Sequence, residues 1–288
     1  MEKKTRDIVC VKSTLSERDL GILGSLRKFR LLTTALIRRL HFPSGGQSTP
    51  RGTSEEGSTP KRHATVAAAS VATMRVLSRL ESHDLVARLH RRIGGVRAGS
   101  TGVIWQLTSA GDRLIRQGGD EGKRRRYLEP SAAFTFHTLA TAELAVELHE
   151  LADNGAVELV NLESEPDCWR TFLAPHGAKQ WLKPDLFAIT AGGDFEDHWF
   201  LEADLGTEHT PVIVRKATTY QQYAATGVHQ SEHEVFPVVA FVVPDERRKG
   251  TIEAALKTES TTRKSFATGM FRVVTKDKFS RFVAEGGA

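Results

Sequence analysis

Leu182–Tyr223, LKPDLFAITAGGDFEDHWFLEADLGTEHTPVIVRKATTYQQY, reads as strand, hairpin, strand and helix, with acidic residues where strands are normally apolar. Asp185 opens the first apolar run, and Glu202 and Asp204 lie inside the second. Successive strand residues face opposite ways, so Glu202 and Asp204 are expected on one face with Ala203 turned to the core. An ionised carboxylate among apolar neighbours is costly unless it is paired or binds a cation. Three carboxylates on adjacent strands therefore predict a divalent-metal site with Asp185, Glu202 and Asp204 as ligands, and oxygen donors of this kind suit Mg²⁺. Lys216, Tyr220 and Tyr223 recur at helical spacing on the following segment, 211–226, and share one face.

The rest of the second half fits around this stretch. A helix is predicted over Phe134–Leu151, with Glu143 and His137 as polar residues able to face the sheet. Strand-like runs follow at Val157–Leu162, Trp169–Leu173, Leu182–Thr190 and His198–Asp204. The run Val235–Val243, VFPVVAFVV, is apolar throughout and predicts a strand covered on both faces. Helices alternating with such strands give an α/β sandwich for residues 131–288.

The first half has a different character. Ser16–Phe29 starts with an N-cap serine and carries leucines at helical spacing, and a second short helix follows, capped by Thr33 or Thr34 and ended by Pro43. Pro43–Arg62 is Ser, Gly, Thr, Pro and Glu with almost no apolar residue, which reads as a solvated, flexible insertion. A third helix is predicted over Thr65–His83, with Val66, Val71, Met74, Leu77 and Leu80 as its apolar stripe and Arg75 and Arg79 on another face. Leu85–Leu89 and Val103–Leu107 read as two strands around the basic tip HRRIGGVRAGSTG, and Ser109 is placed to cap a closing helix. Three helices, a two-stranded wing and a closing helix describe a winged helix-turn-helix over residues 1–117. That fold lays its third helix in the major groove of duplex DNA while the wing reaches the backbone, which assigns Arg75, Arg79, Arg91, Arg92 and Arg97 to DNA contact. Residues 118–130, which include the run KRRR, read as a basic linker.

Charge supports the division. Met1–Leu128 holds 25 Lys and Arg against 11 Asp and Glu, and Glu129–Ala288 holds 15 against 24, which together give the net +5 of the chain. A basic half supplies sequence-independent affinity for phosphate, and an acidic half with clustered carboxylates suits a cation. The two cysteines, Cys10 and Cys168, are too few for a disulfide framework or a thiolate zinc site, which fits a cytoplasmic protein. No apolar run approaches the length of a membrane span, and the amino terminus lacks the apolar stretch of a secretory signal. The 11 histidines show no HExxH, and no P-loop occurs, so zinc hydrolysis and nucleotide hydrolysis are not expected.

The pattern P-D, then E-x-D, after a helix bearing Glu143, resembles the restriction-endonuclease-like PD-(D/E)XK superfamily. With a winged helix in front, PDLFAIT, FLEADLGTEHT and RKATTYQQY resemble the replication-relaxation family of plasmid and mobile-element proteins. The resemblance implies Mg²⁺-dependent nicking or cleavage of double-stranded DNA, with Asp185, Glu202, Asp204, Lys216 and Glu143 as catalytic residues and replication or transfer proteins as partners. Asp204 stands where that superfamily commonly has lysine, so the resemblance implies that Lys216 substitutes from the helix. Two readings of that helix stay open: an active-site face of Lys216 and tyrosines, or an exposed lysine beside two core tyrosines. Correspondingly, the chain is either a nuclease or a DNA-binding accessory factor or repressor with a degenerate nuclease fold; a third reading is an adaptor whose winged helix only dimerises. A palindromic target would call for a homodimer.

Overall fold

The computed structural model describes residues 13–44, 63–89, 102–116, 129–174, 177–193 and 195–287. The chain is a mixed α/β protein that divides into two compact units, Met1–Val146 and Glu147–Ala288. Most of the 43–62 insertion and of the 118–130 linker lies outside the described residues, as do Arg91, Arg92 and Arg97.

In the first unit, α1 (Glu17–Phe29) begins with a capping box: Ser16 Oγ accepts from the Asp19 N–H and the Asp19 carboxylate accepts from the Ser16 N–H. β1 (Leu32–Thr33) leads into α2 (Thr34–His41), capped by Thr33, and α3 (Val66–Ser82) is capped by Thr65. β2 (Val86–Arg88) and β3 (Ile104–Leu107) are antiparallel, with β1 on the far side of β3 in the order β1-β3-β2. The last short helix, α4 (Ser109–Arg116), is capped by Thr108 in place of Ser109: Thr108 Oγ1 accepts from the Gly111 N–H at 3.1 Å. Gly111 itself is dictated by packing, because a Cβ there would stand 2.1 Å from the Leu85 carbonyl oxygen. The apolar stripe of α3 also differs from expectation. Ala69, Thr73, Leu77 and Leu80 are buried, whereas Val66 and Val71 are 57% and 60% exposed. Spacings of four, four and three residues keep one face inward, and Val71 falls off that face.

In the second unit, α5 (Ala132–Asp153), inside which the division falls, precedes β4 (Glu158–Ser164). β5 (Arg170–Leu173) and β6 (Lys179–Leu182) form a separate two-stranded sheet. β7 (Leu186–Gly192), β8 (Phe195–Ala203), α6 (Thr210–Ala225), α7 (Val228–His233), β9 (Val238–Val243), α8 (Glu246–Thr262), β10 (Phe271–Thr275) and α9 (Phe279–Ala284) complete the unit. The main sheet runs β10-β9-β8-β7-β4, parallel for β10, β9 and β8 and antiparallel at β8-β7-β4. The single strand expected over Leu182–Thr190 is therefore two strands in different sheets. Pro184 has no N–H to give a ladder, and it separates them; Pro237 likewise delays β9 to Val238.

One face of the main sheet presents Phe187, Phe200, Val239, Phe241 and Val273 to Ile213, Ala217, Tyr220 and Tyr223 of α6 and to Ile252 and Leu256 of α8. Each such fully buried side chain contributes roughly 1.5–3 kcal/mol. On the opposite face Trp199 meets Phe282 of α9, with ring centroids 5.4 Å apart. β9 lies between two parallel partners and is buried nearly throughout, as the run of valines predicts.

Candidate functional site

Leu186 pairs with Leu201 across the antiparallel β7-β8 ladder. Continuing that register sets Asp185 opposite Glu202, at the end of the ladder where β8 leaves the sheet. Both are buried, at 4% and 2% exposure. Asp185 Oδ2 accepts the Ala203 N–H at 2.7 Å, so its side chain takes a backbone donor at the strand end. Beneath it, the buried Cys168 thiol donates to the Pro184 carbonyl at 3.0 Å. Burial, followed by the charges of Glu165 and Asp185, raises that thiol far above its ordinary range.

Glu202 shares its face of β8 with His198 and Phe200 and points at α6. Its two oxygens are held separately: Lys216 Nζ lies 3.0 Å from Oε2, and the Tyr220 hydroxyl donates to Oε1 at 2.6 Å. Lys216 and Tyr220 are four residues apart and rise from one face of α6. Burial, then the neighbouring Asp185 charge, pushes the Glu202 carboxyl up to about 7, with Lys216 and Tyr220 pulling the other way. For Lys216, burial works against the charge. Glu202, Asp185 and Glu208 more than offset it and hold the ammonium above its ordinary range. Glu208 is the second partner of this lysine, at 3.5 Å.

Asp204 goes elsewhere. It lies one residue beyond β8, and Arg248 of α8 binds both its oxygens, at 2.5 Å and 3.0 Å, while also donating to the Glu208 carbonyl at 2.7 Å. Gly206, with φ +76°, turns the chain between those two points in a left-handed conformation that a side chain would strain. Of the three expected ligands, Asp185 and Glu202 therefore lie across the ladder from one another while Asp204 is bound by Arg248, and no group of three His, Cys, Asp or Glu side chains placed to hold a metal ion occurs among the described residues. The structure brings together Asp185, Glu202 and Lys216. The two tyrosines divide: Tyr220 reaches Glu202, and Tyr223 packs in the core against Phe172 and Phe200. Glu143 belongs to the first unit, where it pairs with Arg39 at 3.4 Å.

Three residues here escaped the sequence reading. Arg248 follows the N-cap Asp245, whose side chain accepts from the Arg248 N–H, but nothing in its spacing points 44 positions back to Asp204. His229 and His233, four apart on α7, were the readable signal. Their rings lie 4.5 Å apart and 5.5–6.2 Å from His198 on β8. His229 is fully buried among Phe187, Phe200, Tyr223 and Phe236, and neither of its ring nitrogens has a hydrogen-bond partner. Burial first, then His233 and His198, lower its pKa to about 4.

In the first unit, Arg75 is exposed on α3. Arg79 is half exposed and bound to the buried Asp19 at 2.5 Å. No helix among the described residues is long and apolar enough to cross a membrane. No curated protein and no solved structure matches the chain. The family model for replication-relaxation matches residues 23–239, most of the sequence and all of the strand-to-helix segment around Glu202, and the chain belongs to the replication-relaxation family.

Proposed function

We propose that the first unit is a winged helix that docks on double-stranded DNA and that the second is a restriction-endonuclease-like domain with a phosphodiester-hydrolysing site on Asp185, Glu202 and Lys216. Family membership points to a role in the replication or relaxation of mobile elements. The observation that carries the hydrolytic reading is the lysine: Lys216 stands 3.0 Å from Glu202, on the helix facing the two acidic strand ends.

The donor set fits a hard divalent cation. Two buried carboxylates lie across one ladder with the partly exposed Lys216 ammonium between Glu202 and Glu208, and burial first, then the Asp185 charge, pushes Glu202 up to about 7. Asp185 and Glu202 would hold Mg²⁺, which supplies Lewis acidity and a more acidic bound water. The chain's own groups do the positioning. Tyr220 fixes one Glu202 oxygen by a phenolic donor, and Glu208 sets the lysine from its other side. Lys216, protonated at neutral pH, places positive charge where a phosphate in attack accumulates negative charge.

One observation favours the accessory reading, in which the chain binds DNA without cutting it. Asp204 is held by Arg248, so its carboxylate is neutralised by a guanidinium and does not join Asp185 and Glu202. Supercoiled and linear DNA incubated with the protein and Mg²⁺ or Mn²⁺ separates the two. Nicked or linear product that is lost in Asp185→Ala and Lys216→Met, with gel-shift affinity retained, supports hydrolysis. Cleavage surviving in Asp185→Ala, or binding without cleavage under both metals, overturns it, and the second outcome leaves the accessory reading standing.

A further inference from the structure

We propose that α3 selects thymine-rich duplex by apolar contact with thymine methyl groups, an inference that rests on the DNA-docking reading of the first unit. The helix turns one stripe outward, made of Ala67, Ala68, Val71, Arg75 and Ser78, all of them exposed. A helix laid in the major groove reads base edges with its amino-terminal residues. In α3 those positions carry only methyl-bearing side chains: Ala67, Ala68 and Val71, with Val71 60% exposed. The hydroxyls in that half are engaged by the helix itself, since Thr65 Oγ1 accepts from the Ala68 N–H and Ser70 Oγ donates to the Val66 carbonyl.

A stripe of alanine and valine cannot address the donors and acceptors by which guanine, cytosine and adenine differ in the major groove. The one feature there that it can recognise is the C5-methyl of thymine, the apolar group on that edge. Charge points to what covers this exposed apolar stripe. It continues directly into Arg75, and Arg79 borders it at half exposure, in a half of the chain with 25 basic against 11 acidic residues. A polyanion with apolar groups on its groove floor complements both features, whereas an apolar protein surface complements only the first. Arg75 then anchors the register one turn on, by phosphate contact.

The test measures fluorescence anisotropy of the full chain, at one fixed low salt concentration, against labelled duplexes of alternating dA·dT, the same sequence with deoxyuridine for thymidine, and alternating dG·dC. These differ little in charge, so electrostatic affinity is common to them. The expected result is tighter binding to dA·dT than to dA·dU by about fourfold for each thymine methyl that a side chain covers. Val71→Ser, exposed and compatible with the helix, should lower that ratio toward one with helical circular dichroism unchanged, and Arg75→Ala should weaken all three duplexes. Equal affinity of wild type for dA·dT and dA·dU overturns the inference and leaves DNA docking intact. Absence of binding to every duplex overturns the docking reading as well.

Discussion

His229 makes the stability of the second unit depend on pH in a calculable way. An imidazole with an ordinary pKa of 6.5 is held near 4 because protonation would put a charge among Phe187, Phe200, Tyr223 and Phe236. The unfolded chain takes up this proton below about 6.5 and the folded chain only below about 4, so between those values the unfolded state binds more protons and stability falls as pH falls. The full difference between the two values is about 3 kcal/mol, reached near pH 4 and absent above pH 7. His229→Phe replaces the ring by one that suits the aromatic surroundings and cannot titrate. Urea unfolding of the full chain, read from tryptophan fluorescence to which the buried Trp199 contributes, should be followed at pH 7.5, 6.0, 5.0 and 4.5 for both proteins. The stability of His229→Phe minus that of wild type should become more positive by about 2–3 kcal/mol over that range. Taking the difference removes most of the opposing contribution of Glu202, whose carboxyl at about 7 stabilises the fold as pH drops toward its ordinary value. A difference that stays constant from pH 7.5 to 4.5 would refute the argument, since it would mean that the folded protein protonates His229 as readily as the unfolded chain.

Two side-chain tests address the acidic segment. Arg248→Met strips the guanidinium from an almost fully buried Asp204 carboxylate and should cost about 3–5 kcal/mol in urea unfolding. Arg248→Met with Asp204→Asn should recover much of that loss, and a single variant as stable as wild type would show the clamp to be dispensable. Tyr220→Phe takes the phenolic donor from Glu202 Oε1, with an expected cost of about 1–3 kcal/mol. The Glu202 carboxyl should then titrate above 7, as seen by carbon NMR of that side chain; an unchanged titration would mean the hydroxyl does not stabilise the ionised form.

Much of this architecture could be read from local pattern. Ser16, Thr33 and Thr65 announce three helices because a capping side chain acts within three residues of itself. The β7-β8 hairpin and the placement of Lys216 and Tyr220 on one helical face follow from periods of 2 and 3.6, so Asp185, Glu202 and Lys216 were identifiable together. What failed was non-local. Strand alternation groups Asp204 with Glu202, but Asp204 sits one residue past the end of the strand, where Arg248 from α8 binds it. Apolar character alone puts Val66 and Val71 in the core of α3, yet Ala69 and Thr73 occupy the inward face, because they continue the stripe of Leu77 and Leu80 at helical spacing. Pro184 is a legible interruption within the run, because a residue without an N–H cannot donate to a ladder.

Cys168 offers a practical handle on the second unit. Because the thiolate is the reactive species, a sulfur kept protonated by burial and seated under Pro184 is inert to alkylating reagents while the fold is closed. In a Cys10→Ser background, the rate at which a maleimide modifies the protein then counts openings around the Asp185 strand end. Lengthening of that half-life on adding a metal or DNA would measure how strongly each one tightens the unit, with no need for turnover.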